Sequence, residues 1–142
     1  VSDGSSITAI DREALTYNGV GLSPDGSTIY VADTHQARLY CYARKVEAQR
    51  PVWIATAPGH VSFDSLAVTA AGNVCVGTLR TGGITTVTPE GDTRFRGFDD
   101  RYVTNIAFGG DDMMDAYLTL STSGRLVKLR WDEPGLKLHF NG

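Results

Sequence analysis

The chain has 142 residues, 42% of them hydrophobic and 20% charged, with a net charge of −3. That length fits one domain, and the composition is ordinary for a globular protein. Mild acidity and scattered Lys and Arg give no support for nucleic-acid binding, and no apolar run approaches the roughly 18 residues of a membrane span.

The start, Val1-Ser2-Asp3-Gly4, has neither the basic head nor the apolar middle of a signal peptide. Short strand signals then recur, separated by Gly, Pro, Asn and Asp. The first spans residues 6–10. Four follow at 20–23, 28–32, 38–42 and 52–55, then four at 65–68, 74–77, 84–88 and 93–95. The last four lie at 105–108, 116–120, 126–130 and 137–140. Thr28-Ile29-Tyr30-Val31 shows the period-two alternation of a strand with two distinct faces. Ser23-Pro24-Asp25-Gly26 and Pro89-Glu90-Gly91-Asp92 place Pro and Gly where tight turns need them. No helical periodicity competes with these readings.

Three segments share one pattern of polar residue, apolar strand, turn and apolar strand. They begin at Asn18-Gly19-Val20-Gly21-Leu22, at Asp64-Ser65-Leu66-Ala67-Val68 and at Thr104-Asn105-Ile106-Ala107-Phe108. The period, roughly 40 to 46 residues, is that of a four-stranded propeller blade. The expected fold is therefore all-β, one partial propeller domain of three four-stranded blades at about 18–56, 64–97 and 104–140, with an orphan outer strand at 6–10. Closed propellers have about 4 to 8 blades, so three blades form an arc. Each bare end of that arc is expected to be a large apolar patch that needs a cover.

The ordered set of motifs resembles the senescence marker protein, gluconolactonase and luciferin-regenerating enzyme family. It comprises the Asn18 to Gly26 segment, Phe63-Asp64-Ser65-Leu66-Ala67-Val68, Gly82-Gly83-Ile84-Thr85 with Pro89-Glu90-Gly91, Thr104 to Gly110, Ser123-Gly124-Arg125-Leu126 and Pro134-Gly135-Leu136-Lys137-Leu138. The resemblance covers almost the whole chain and corresponds to the C-terminal half of such a protein. It implies a six-bladed ring with one divalent metal in its channel, hydrolysing a sugar lactone or related ester. It also implies that Asn18 and Asp64 are metal ligands and that Asp64 is the general base. The third ligand, a Glu, falls in the missing half. Ser65 departs from the Gly that many active members carry there.

Oxygen ligands at Asn18 and Asp64 suit Ca²⁺, Mg²⁺ or Mn²⁺, and a carboxylate also admits Zn²⁺. On its own, Asn18-Gly19 reads as a turn and Asp64 as a carboxylate at a strand start. Asn105 occupies the third repeat and is expected to line the channel. Arg80 and Arg101 are candidate contacts for an anionic substrate. His60 reads as a solvated loop residue at the channel rim. Asp99-Asp100 and Asp111, Asp112 and Asp115 read as solvated turns. Trp53 and Trp131 read as packing between blades or at edges. Cys41 and Cys75 read as buried free thiols, which fits a reducing, cytoplasmic setting.

The leading expectation is a lactonase-like hydrolase half, active once a missing N-terminal half or a second copy of the chain completes it. The alternative is a non-catalytic binding half that dimerises into a six-bladed ring.

Overall fold

The computed structural model describes residues 9–11, 15–45 and 50–139. These residues form eleven strands: β1 (Tyr17–Leu22), β2 (Thr28–Asp33), β3 (Arg38–Ala43), β4 (Val52–Thr56), β5 (Ser62–Val68), β6 (Val74–Leu79), β7 (Gly83–Val87), β8 (Thr93–Gly97), β9 (Val103–Gly109), β10 (Asp115–Leu120) and β11 (Arg125–Arg130). They make three antiparallel sheets in simple up-and-down order: β1 to β4, β5 to β8 and β9 to β11. The all-β expectation holds. No helix long and apolar enough to cross a membrane occurs among the described residues.

The core lies between sheets. Between the first and second, Tyr30, Ala32 and Leu39 meet Phe63, Leu66, Val68, Val74, Val76 and Val87. Between the second and third, Cys75 and Ile84 meet Val103, Ile106, Ala116 and Leu118, with Trp131 closing the outer side. Near the inner strands the backbones almost touch. A Cβ on Gly19 would lie 2.7 Å from the Asp64 carbonyl oxygen, and one on Gly77 would lie 2.7 Å from that of Thr104. Only glycine permits that approach.

The third sheet corrects the sequence reading, since it has three strands. Residues 137–139 form no strand, and Phe140 lies outside the described residues. The reason lies just upstream. Trp131 is buried, 5% exposed, in edge contact with Phe108. The chain then turns at Pro134-Gly135 and runs back over the second sheet. The Leu136 amide donates to the Val68 carbonyl and the Ala70 amide to the Pro134 carbonyl. Glu133 accepts bonds from Thr69 and Asn73. Those bonds take the chain away from the free edge of β11. The strand expected at 6–10 falls largely outside the described residues, and residues 9 and 10 form none.

The two end faces differ, contrary to the expectation of two apolar patches. Register places Val20, Val31, Tyr40 and Trp53 on one face of the first sheet, with Leu22, Ile29 and Tyr42 beside them. Val20 is 65% exposed and Trp53 59%. The Asp11 carboxylate covers part of this face by accepting bonds from the Tyr17 and Tyr42 hydroxyls. The free face of the third sheet is mixed instead: it carries charges beside Leu126, which is 72% exposed and lies opposite Thr119. Asn105 pairs with Thr119, Ala107 with Tyr117, and Gly109 with Asp115. Lys128 and Arg130 lie on that face, and Asp115 pairs with both, at 2.7 and 2.9 Å.

Asp100 is another correction. It is 8% exposed and not a solvated turn residue. Its carboxylate accepts bonds from the amides of Tyr102, Thr122 and Ser123 and from the Ser123 hydroxyl. Burial alone would raise its pKa, but these donors outweigh it and hold the carboxyl well below the usual range. A folded pKa below the unfolded value near 3.9 means stabilisation that is complete above that pH and is lost as pH falls. Asp100→Asn is therefore expected to lower the urea midpoint at pH 7. Its deficit against the wild type should shrink between about pH 4 and pH 2. A deficit independent of pH would contradict this.

Both cysteines are free thiols; Cys41 is half-buried and Cys75 fully buried. Burial is the main cause that pushes the Cys75 thiol up to about 12, and it raises Cys41 as well. Since the thiolate is the reactive form, a water-soluble maleimide should label Cys41 in the folded chain and Cys75 only after unfolding. Mass spectrometry of the labelled chain reads this directly, and native labelling of Cys75 would refute it.

Candidate functional site

The three inner strands β1, β5 and β9 each carry an irregularity near their start. Pairing skips from Tyr17 to Val20 in β1 and from Phe63 to Leu66 in β5. In β9 two residues, Val103 and Asn105, oppose adjacent partners. Such bulges re-aim side chains and are common beside active sites. Asn18 and Asp64 occupy matching places in the first two. They therefore lie inside their strands, which begin three residues earlier than the alternation suggests.

The structure brings these two side chains together. The Asn18 side chain and the Ser65 amide lie near enough to the Asp64 carboxyl to favour its charged form. Desolvation is larger and raises its pKa. A half-buried carboxylate with so little compensation is suited to a cation or to accepting a proton. Thr104 holds the matching place in β9. Asn105 lies one residue further on, exposed, with its side-chain oxygen accepting the Ile106 amide at 2.9 Å.

Asn105 does line a cleft along the inner strands, of about 410 Å³ and mostly apolar, with Val20, Leu66, Phe108, Leu136 and Leu138. Arg80 and Arg101 are elsewhere. They line a second cleft, of about 480 Å³, at the loops that precede β5 and β9 and follow β6. His60 lines it too and meets the Arg80 guanidinium through its Nε2. No group of three His, Cys, Asp or Glu side chains that could hold a metal occurs among the described residues. Asn18 and Asp64 together supply one side-chain amide and one carboxylate.

This arrangement, three up-and-down sheets with an Asn and an Asp on neighbouring first strands, has clear relatives. Residues 1–122 match the family described as the SMP-30/Gluconolactonase/LRE-like region. The chain belongs to that family. Among solved structures, it is similar to the calcium-binding protein regucalcin from Agrobacterium tumefaciens, with TM-score 0.70 and 20% identity over 86% of this chain and 50% of that one. It is similar to a suspected gluconolactonase, with TM-score 0.74 and 24% identity over 94% of this chain and 44% of that one. A gluconolactonase from Xanthomonas campestris gives TM-score 0.68 and 19% identity over 82% and 38%. Among curated proteins, none matches. The SMP-30/gluconolactonase-like chain therefore spans half or less of the length of these structures. At such identities the likeness carries the fold, which is propeller-like.

Proposed function

We propose that this SMP-30/gluconolactonase-like chain is the C-terminal half of a metal-dependent lactonase, soluble and cytoplasmic, whose ring is completed to six blades by a further half. The observation that carries the reading is the contact between Asn18 and Asp64 across adjacent inner strands, in a chain of this family. A neutral oxygen and a carboxylate suit a hard divalent ion such as Ca²⁺, Mg²⁺ or Mn²⁺, with Zn²⁺ also accessible. Regucalcin, described as calcium-binding, supports a divalent metal. Bound there, the ion would polarise the lactone carbonyl and acidify water.

The chain's own residues do the rest. Asp64 accepts the proton of the attacking water, for which a desolvated carboxylate of raised pKa is the better base. Asn18 orients it. The acyl C–O bond of the lactone breaks and a hydroxy acid leaves. Asn105 and the apolar wall beside it hold the substrate body.

The end faces bear on the partner. In a ring of two identical halves, the Lys128 and Arg130 face of one copy would press on the Val20, Leu22 and Trp53 face of the other. That strips water from charges against an apolar wall, which is unfavourable. A non-identical N-terminal half with matching faces suits the arc better than a second copy. Light scattering on the purified chain tests this. A mass of one chain is expected, rising on addition of the complementary half, and a stable ring of two copies would overturn it. Calorimetric titration with Ca²⁺ and Mn²⁺ tests the metal site. Wild-type binding that survives in Asp64→Ala would place the metal elsewhere.

A further inference from the structure

The cleft that contains Arg80 and Arg101 lies apart from the apolar inner-strand cleft and has its own chemistry. The Arg80 amide donates to the Arg101 carbonyl at 2.7 Å, and Leu79 bridges Tyr102. The turn after β6 is thus fixed to the segment that enters β9. Two guanidinium groups therefore emerge from neighbouring points of the backbone into one cleft. His35, His60 and Ser62 also line it, and among the described residues no carboxylate does. Among the described residues, neither arginine forms an ion pair. Lys128 and Arg130, by contrast, are paired with Asp112 and Asp115.

Two further observations point the same way. Arg80 has φ +79°, in the left-handed region that side chains rarely adopt. Glycine would sit there without strain, and strained residues of this kind gather at ligand sites. The guanidinium is also aimed: its Nη1 meets His60 Nε2. That leaves the rest of the planar donor fork for a ligand.

We propose that this cleft is a binding site for a small oxyanion, a carboxylate or phosphate group, gripped by Arg80 and Arg101 with His60 as the positioning residue for Arg80. Its volume, about 480 Å³, suits a small molecule or one end of one. Paired guanidinium groups recognise planar carboxylates and phosphates through charge-assisted bonds. The site stands independently of any hydrolysis at Asp64.

The test is isothermal titration of the purified chain with sodium gluconate and, separately, with inorganic phosphate, at low ionic strength. Saturable one-to-one binding of either supports the site, and the tighter of the two names its ligand class. Binding of neither overturns it. Arg101→Gln should lower affinity at least about tenfold, and Arg94→Gln, on the exposed strand β8, should not change it. Arg80→Gly separates ligand binding from scaffolding: it should hold or raise the thermal midpoint while losing the anion. Affinity retained in Arg80→Gly, or a lowered midpoint there, would overturn the assignment.

Discussion

Asp64→Asn is expected to lower lactone hydrolysis by about 10² to 10⁴ in the completed ring, the usual worth of a positioned general base, and to weaken divalent-metal binding as well. The substitution keeps the shape of the side chain and removes its charge. It should leave the fold intact, because Asp64 is only half-buried and its partners are one side chain and one backbone amide. The measurement is pH-stat hydrolysis of glucono-1,5-lactone with and without added Ca²⁺ or Mn²⁺, after subtraction of the spontaneous rate. Wild-type turnover in this variant would remove Asp64 from the chemistry. Loss of turnover with an unchanged thermal midpoint would place the defect in the reaction and not in folding.

The neighbouring residue gives the largest expected effect on stability. Phe63 is fully buried, 0% exposed, where the first two sheets meet. Phe63→Ala removes the ring from a packed site whose backbone is pinned by adjacent strands and cannot collapse freely. A loss of about 3–5 kcal/mol is expected, against a total stability of about 5–15 kcal/mol for a typical domain. Urea denaturation followed by far-ultraviolet circular dichroism should show the midpoint fall sharply. A fall of less than about 1 kcal/mol would mean that the first two sheets do not share a core. Phe63 is fully buried and the adjacent Asp64 only half-buried, so these two variants separate chemistry from cohesion within one strand.

Much of the architecture was legible because it is local. Strand β2 follows from alternation, β3, β6 and β7 from short apolar or β-branched runs between turns, and Ser23-Pro24-Asp25-Gly26 sets its own hairpin. The inner strands start earlier than expected because Asn18-Gly19 and Asp64-Ser65 sit in bulges, which break the alternation that reveals a strand. Contacts distant in sequence left no trace. Asp100 looks like an ordinary acidic turn, since its partners Thr122 and Ser123 lie 22 and 23 positions away. His60 looks like a loop residue because Arg80, its partner, lies 20 positions on. The third sheet misled for a similar reason. Pro134-Gly135 reads as a turn between strands, and only the burial of Trp131 and the bonds to the second sheet show where the chain goes. Asn18 and Asp64 stood out through family motifs, while their contact needed the register of two strands.

The near-contact of the backbones at Gly19 and Gly77 also has a geometric meaning. On the inner side, the second and third sheets are separated by no side chain at Gly77. On the outer side they are propped apart by Trp131, which packs 5.0 Å under the Arg96 guanidinium of β8. Neighbouring sheets thus form a wedge, thin at the axis and thick at the rim. The taper of that wedge fixes how many sheets turn through a full circle. Thickening it at Gly77 or thinning it at Trp131 would open the curve toward a larger ring. The curvature of these three sheets is thus written into a handful of side-chain volumes.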